Sequence, residues 1–187
     1  MQKERIILGI DPGTRIMGYG IILERGRSIE LLLMDVLILT KIKEHSLKLK
    51  KIFESTLLLI ENYKPDEMAI EAPFYGKNVQ SMLKLGRAQG VAMAAALYRD
   101  VPIFEYSPRK IKQSVTGKGN ASKEQLAAML SNILNFSINP EHLDASDAVA
   151  VATCHYFQTQ NTLKQQRNKG YSNWNTFISN NPDRIIT

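Results

Sequence analysis

Four acidic residues stand where an acid is costly. Asp11 closes the apolar run Arg5–Asp11 (RIILGID), and Glu71 closes Met68-Ala69-Ile70. Asp144 and Asp147 sit among small apolar residues in LDASDAVAVA. Spacing of i, i+3 puts these two on one helical face, with Cβ atoms about 5–6 Å apart. Each acid has an ordinary explanation when taken alone. Asp11 before Pro12-Gly13 is a common turn residue. Asp144 can cap a helix, where the dipole also favours Asp147. Glu71 can mark a strand edge. Gathered together, however, three or four carboxylates repel and raise one another's pKa. A divalent cation removes that penalty, and hard oxygen ligands suit Mg²⁺ or Mn²⁺. His45, His142 and His155 are scattered, reading as surface or core residues, and Cys154 is the only cysteine. No intrachain disulfide and no cysteine-based zinc site is possible.

A carboxylate cage beside a basic surface suits phosphodiester hydrolysis. In a two-metal arrangement, ions roughly 3.5–4 Å apart activate a water and stabilise the leaving oxygen. The charge distribution fits that chemistry. The chain of 187 residues carries +6. Residues Ala72–Lys123 hold nine bases, Lys112, Lys118 and Lys123 among them, and two acids. That stretch nets +7 and the remainder −1. Solvated lysines on helix faces are the bland reading. Their concentration beside the acids favours phosphate contacts instead.

The elements that must position these groups follow from periodicity. Arg5–Asp11 is a buried strand that stops at Asp11-Pro12-Gly13-Thr14. Ile16–Glu24 and Ser28–Thr40 continue it as an antiparallel meander. Leu47, Leu49, Ile52, Phe53, Leu57 and Ile60 recur at helical spacing within Glu44–Tyr63. Asp66–Glu71 is a fourth strand, Val79–Tyr98 a long helix and Val101–Tyr106 a fifth strand. Pro108–Val115 and Ser122–Asn135 are helices on either side of the basic glycine loop Thr116–Asn120. Asp144–Gln158 is the last helix. Three strands, then alternating helix and strand, then helices predict an α/β fold around a five-stranded mixed sheet flanked by helices. Residues 1–158 form the expected domain. Residues 159–187 are rich in Asn, Gln, Ser and Thr and read as a polar tail, docked through Tyr171, Trp174 and Phe177. If the first and fourth strands are neighbours, Asp11 and Glu71 point into one crevice, and the final helix can bring Asp144 and Asp147 to it.

Four segments carry a family resemblance: Ile7–Gly20 (ILGIDPGTRIMGYG), Ala69–Met93 (AIEAPFYGKNVQSMLKLGRAQGVAM), Phe104–Gly117 (FEYSPRKIKQSVTG) and Leu143–Ala152 (LDASDAVAVA). In this order and spacing they resemble the bacterial RuvC Holliday-junction resolvases, over about residues 5–157. The resemblance implies an RNase H-like fold and a homodimer that nicks two opposing strands of a four-way DNA junction with Mg²⁺ or Mn²⁺, two ions per site. It implies Asp11, Glu71, Asp144 and Asp147 as metal-binding catalytic carboxylates; some relatives have His at the place of Asp144. Lys112 and Lys123 match lysines near the scissile phosphate, and Lys118 joins them as a DNA-binding candidate from the glycine loop. Phe74 matches an aromatic that pushes against bases at the crossover, and Pro73 before it departs from the family pattern. RuvA and RuvB are the implied helicase partners.

The long helix carries Gly86, Gly90 and Ala94 at four-residue spacing. That stripe allows close approach, either to the parent sheet or to a second copy, and the resemblance favours the dimer. Asp-x-Gly-Thr also opens actin-like ATPases and sugar kinases, but those folds need a second such domain and about twice this length. A related nuclease on another branched substrate and a non-catalytic junction-binding module are the other readings. The N-terminus lacks a signal-peptide core and no apolar run approaches the roughly 20 residues of a membrane span. A cytoplasmic protein without membrane contact is expected.

Overall fold

The computed structural model describes residues 4–73, 78–136 and 143–167, with side chains to residue 160. The strands are β1 (Glu4–Asp11), β2 (Ile16–Arg25), β3 (Ser28–Ile38), β4 (Glu67–Glu71) and β5 (Ile103–Tyr106). The helices are α1 (His45–Tyr63), α2 (Val79–Leu97), α3 (Pro108–Thr116), α4 (Lys123–Leu134) and α5 (Leu143–Arg167). The strands form one sheet in the order β3-β2-β1-β4-β5. β1, β2 and β3 pair antiparallel, as the short turn around Gly26 requires. β4 pairs parallel to β1, and β5 parallel to β4. The mixed five-stranded sheet expected from the sequence is therefore present, and β1 and β4 are neighbours.

Alternation along the strands sends successive side chains to opposite faces. Leu8, Ile10, Met68 and Ile70 join Ile52 and Ile60 of α1 and Ala88, Ala92 and Ala96 of α2 in one buried core. Each fully buried Ile or Leu contributes about 1.5–3 kcal/mol relative to exposure. The other face carries Ile7, Gly9, Asp11, Ala69 and Glu71, and α5 covers it. Three glycines let α5 lie close. A Cβ on Gly9 would stand 2.1 Å from the Ala148 carbonyl oxygen, one on Gly18 would stand 2.5 Å from that of Asp144, and one on Gly20 would stand 2.5 Å from Val149 Cγ2. The helix answers with small residues: Ala145, Ala148 and Ala152 are fully buried.

Helix ends obey local rules. Ser107 caps α3, accepting from the Lys110 N–H, and Pro108 occupies its first turn, where a missing N–H costs nothing. Ser122 and Gln125 form a reciprocal capping box on α4, so Lys123 is held at the first position of a fixed helix. α5 runs to Arg167, past the end expected at Gln158. The polar side chains of Thr159–Gln166 blur the apolar period that marks a buried helix, yet they do not oppose helix formation. The chain divides into two compact units, Met1–Tyr156 and Phe157–Thr187. Every site residue considered below lies in the first. Phe74, Tyr171, Trp174 and Phe177 lie outside the described residues.

Candidate active site

The site begins with a register. Ile10 of β1 stands opposite Ile70 of β4 in the parallel ladder, so the next residues, Asp11 and Glu71, end adjacent strands on the same face. α5 crosses that face and supplies Asp147 one turn before Val151. α3 and α4 close the side with Lys112 and Lys123. The result is a cavity of about 230 Å³ lined by Asp11, Glu71, Pro108, Ile111, Lys112, Lys123, Leu126 and Asp147. Three acids from three distant segments thus share one small space with two lysines.

Its electrostatics show what the arrangement lacks. Burial, with Asp147 beside it, raises the Asp11 carboxyl to about 7. Burial raises Glu71 to about 8, helped by the charges of Asp11 and Asp147. Burial also lifts Asp147, although the hydrogen bond and charge of Lys123 pull it back. The Lys123 ammonium lies 2.6 Å from Asp147 Oδ2 and 3.2 Å from Asp144 Oδ1. Burial works against that ammonium, but the two aspartates outweigh it and hold its pKa above the ordinary value. One lysine serves as counter-ion to a cluster that needs more positive charge.

The two aspartates of α5 part company. The Asp147 side chain is 14 % exposed and lines the cavity; that of Asp144 is 53 % exposed and stands at the rim. Lys112 lines the cavity, whereas Lys118 is exposed on the loop between α3 and α4. Among the described residues, no three acids, histidines or cysteines are drawn into a closed metal cage. The chemistry of the donor set nonetheless fits a hard divalent cation. All candidate donors are carboxylate oxygens, three of them lifted in pKa by burial and mutual repulsion, and a side-chain cation already occupies part of the space.

Farther along the same sheet face lies a polar cluster around His155, which the sequence marks only as a surface or core residue. His155 of α5 is fully buried. Its Nε2 is 2.6 Å from Glu67 Oε2 on β4 and its Nδ1 is 2.6 Å from the Tyr106 hydroxyl on β5. A carboxylate only accepts, so Nε2 carries the proton and Nδ1 accepts from Tyr106. Burial keeps the imidazole below its ordinary pKa against the pull of Glu67, which agrees with a neutral ring. Arg5 pairs with Glu67 at 2.8 Å and with Glu24 at 2.6 Å. The ring of Phe104 lies 4.4 Å from that of His155, centroid to centroid. This cluster ties α5 to β1, β2, β4 and β5, two turns beyond Asp147. No short-range signal marks it, because its members come from five separate elements.

A sheet in this order, with acids ending its first and fourth strands and a helix carrying a third acid across them, defines an RNase H-like fold of the resolvase kind. Comparison with known proteins agrees. The family model described as crossover junction endodeoxyribonuclease RuvC matches residues 7–155. A protein of that name from Cytophaga hutchinsonii is 61% identical over 98% of this chain and 90% of its own. One from Christiangramia forsetii is 57% identical over 99% of this chain and 95% of its own. Among solved structures, Thermus thermophilus RuvC in complex with Holliday junction substrate superposes with a TM-score of 0.77 at 29% identity, covering 84% of this chain and 96% of that one. The chain belongs to the RuvC family of crossover junction endodeoxyribonucleases. It is a hydrolase that acts on DNA.

Proposed function

We propose that this protein resolves four-way DNA junctions by paired, symmetric nicks, serving recombination and repair. The observation that carries the reading is the meeting of Asp11, Glu71 and Asp147 in one cavity with Lys112 and Lys123 on its wall. Asp11, Glu71 and Asp147 would hold divalent cations, Mg²⁺ or Mn²⁺ and two per site, with Asp144 reaching in from the rim. Bound there, the ions supply an activated water and charge stabilisation at the leaving oxygen. The protein's own groups orient the rest. Lys112 faces the phosphate from α3, and Lys123 offsets carboxylate charge when the metals are absent. With cations held by these carboxylates, the Lys123 ammonium would be free to face the phosphate. Phe74, three residues beyond Glu71, is placed in sequence to stack on an opened base.

Paired nicks need two equivalent sites, and a junction with near-twofold symmetry asks for a C2 dimer. α2 supports that arrangement. A Cβ on Gly86 or Gly90 would meet nothing within 4 Å, and Val79, Leu83 and Leu97 are 65%, 57% and 63% exposed. The open face of α2 is the homodimer surface in this reading. RuvA and RuvB are its helicase partners and the cytoplasm its compartment. Among the described residues no helix is long and apolar enough to cross a membrane.

Incubation of a synthetic four-way junction with the protein, with and without Mg²⁺, tests the reading. Sequencing gels should show symmetric nicks on opposing strands only with the metal. Random nicking of linear duplex at the same rate would overturn it.

A further inference from the structure

A second cavity, of about 740 Å³, opens beside the first and is lined by Ser107, Pro108, Arg109, Lys112, Gly119 and Asn120. Pro108 and Lys112 belong to the walls of both. A DNA strand with one phosphate over the acids therefore has a basic hollow next to it, on the α3 side.

The hollow is built from fixed parts. The Thr116 hydroxyl lies 2.8 Å from the Lys112 carbonyl and accepts from the Lys118 N–H at 3.1 Å, which ties the loop to the end of α3. Gly117 takes the left-handed conformation that ends the helix, at φ 78°. Gly119 serves a different purpose, since its φ is not positive. A Cβ there would stand 2.7 Å from Arg109 Cγ and 3.3 Å from the Arg109 carbonyl oxygen. The loop backbone is laid directly along the arginine stem, and a side chain at Gly119 would displace that stem.

Arg5, Arg25 and Arg99 each pair with a glutamate. Among the described residues, Arg109 has no carboxylate within ion-pair distance. An exposed guanidinium whose stem lies against the Gly119 backbone, on the wall of a basic hollow, matches the two-pronged geometry of a phosphate. We propose that this cavity is a subsite for the phosphate adjoining the cleaved bond, with Arg109 as its anchor. The proposal rests on the nuclease reading above and adds a residue and a binding position to it.

The test uses four-way junctions in which a single neutral methylphosphonate is walked along the cleaved strand, bound to the full-length protein without metal. For the native protein, one position beside the scissile phosphate should cost about tenfold in affinity. In Arg109→Ala that position should cost less than about twofold, and the salt slope of binding should fall by about one. Gly119→Ala, which pushes the stem aside, should reproduce the loss at the same position. A loss in Arg109→Ala that is equal at every methylphosphonate position would overturn the subsite and leave a diffuse charge effect. A penalty that instead follows an abasic substitution would make the hollow a base pocket and also overturn it. The unmodified junction is assayed for Mg²⁺-dependent nicking in parallel. Intact nicking by the native protein, with no methylphosphonate position whose penalty Arg109→Ala relieves, sinks the subsite alone, whereas absence of nicking sinks the nuclease reading.

Discussion

The ammonium of Lys123 stands 2.6 Å from Oδ2 of Asp147, inside the cavity that both share with Asp11 and Glu71. The helix that carries Lys123 is capped at both ends by its own side chains and backbone, so the lysine is delivered to a defined place. It offsets part of a charge cluster that metal ions would offset more fully. On the proposed reading, this lysine and divalent cations would compete for the same carboxylates.

Lys123→Met removes that internal counter-ion. The metal-free variant should melt at a lower temperature than the native protein at pH 8. Added Mn²⁺ should raise its melting temperature more than it raises the native one, because no ammonium has to be displaced. Junction cleavage should fall roughly 10-fold to 100-fold. Thermal melts with and without Mn²⁺, alongside single-turnover cleavage, measure both. Equal Mn²⁺ shifts in the two proteins would place the lysine outside the metal competition.

Asp11→Asn should abolish cleavage, by roughly 10³-fold or more, while junction binding is retained on the basic face. The same variant has a stability signature. The folded pKa values of Asp11 and Glu71, about 7 and about 8, lie above their ordinary values. Their contribution is thus fully present below about pH 4 and is lost progressively as pH rises from there to the folded values of about 7 and 8, levelling off above them. Metal-free native protein should lose stability over that window. Asp11→Asn should flatten the loss, melting about 3–6 °C above the native protein at pH 8.5 and within about 1 °C of it at pH 4. A native melting profile flat between pH 5 and 8.5 would contradict the raised carboxyls.

Asp144 and Asp147 should differ despite their shared helical face. Asp147→Asn, in the cavity, should cost cleavage about as much as Asp11→Asn. Asp144→Asn, at the rim, should cost roughly tenfold or less. Single-turnover rates at saturating Mg²⁺ decide between them, and equal losses would mean that Asp144 is drawn into the cavity when metal binds.

Gly9→Ala tests how closely α5 must lie on the sheet. The added methyl would stand 2.1 Å from the Ala148 carbonyl oxygen. The helix must shift, at a cost of about 1–3 kcal/mol. Because the same helix holds Asp147, cleavage should fall further than stability alone explains. Urea denaturation and single-turnover kinetics on the remaining folded protein separate the two effects.

His155→Ala removes the link from α5 to Glu67 and Tyr106, leaving the Tyr106 hydroxyl without its acceptor and Glu67 with Arg5 alone. A loss of about 1–3 kcal/mol is expected. His155→Gln, which can donate to Glu67, should recover part of it. Denaturant midpoints for the three proteins provide the measurement.

Much of this architecture is legible in local pattern. The apolar run Arg5–Asp11, the apolar spacing of α1 and the Ser122 cap are set by near neighbours in the chain, and local sterics and hydrogen bonding follow from them. The acids at 11, 71, 144 and 147 also stand out, because a charge beside an apolar run is conspicuous wherever the run ends up. Their separation does not. That Asp147 enters the cavity while Asp144 stays at its rim depends on the rotation of α5, which the close packing at Gly9, Gly18 and Gly20 sets. Lys123 against Asp147, Gly119 along the stem of Arg109, and His155 between Glu67 and Tyr106 are likewise beyond any pattern in the chain. Residue type and spacing along the chain determined which groups could do chemistry and which elements would carry them. Only the tertiary packing decided which of those groups meet, because contact between distant segments depends on how helices seat on the sheet, and no short-range periodicity encodes that depth or angle.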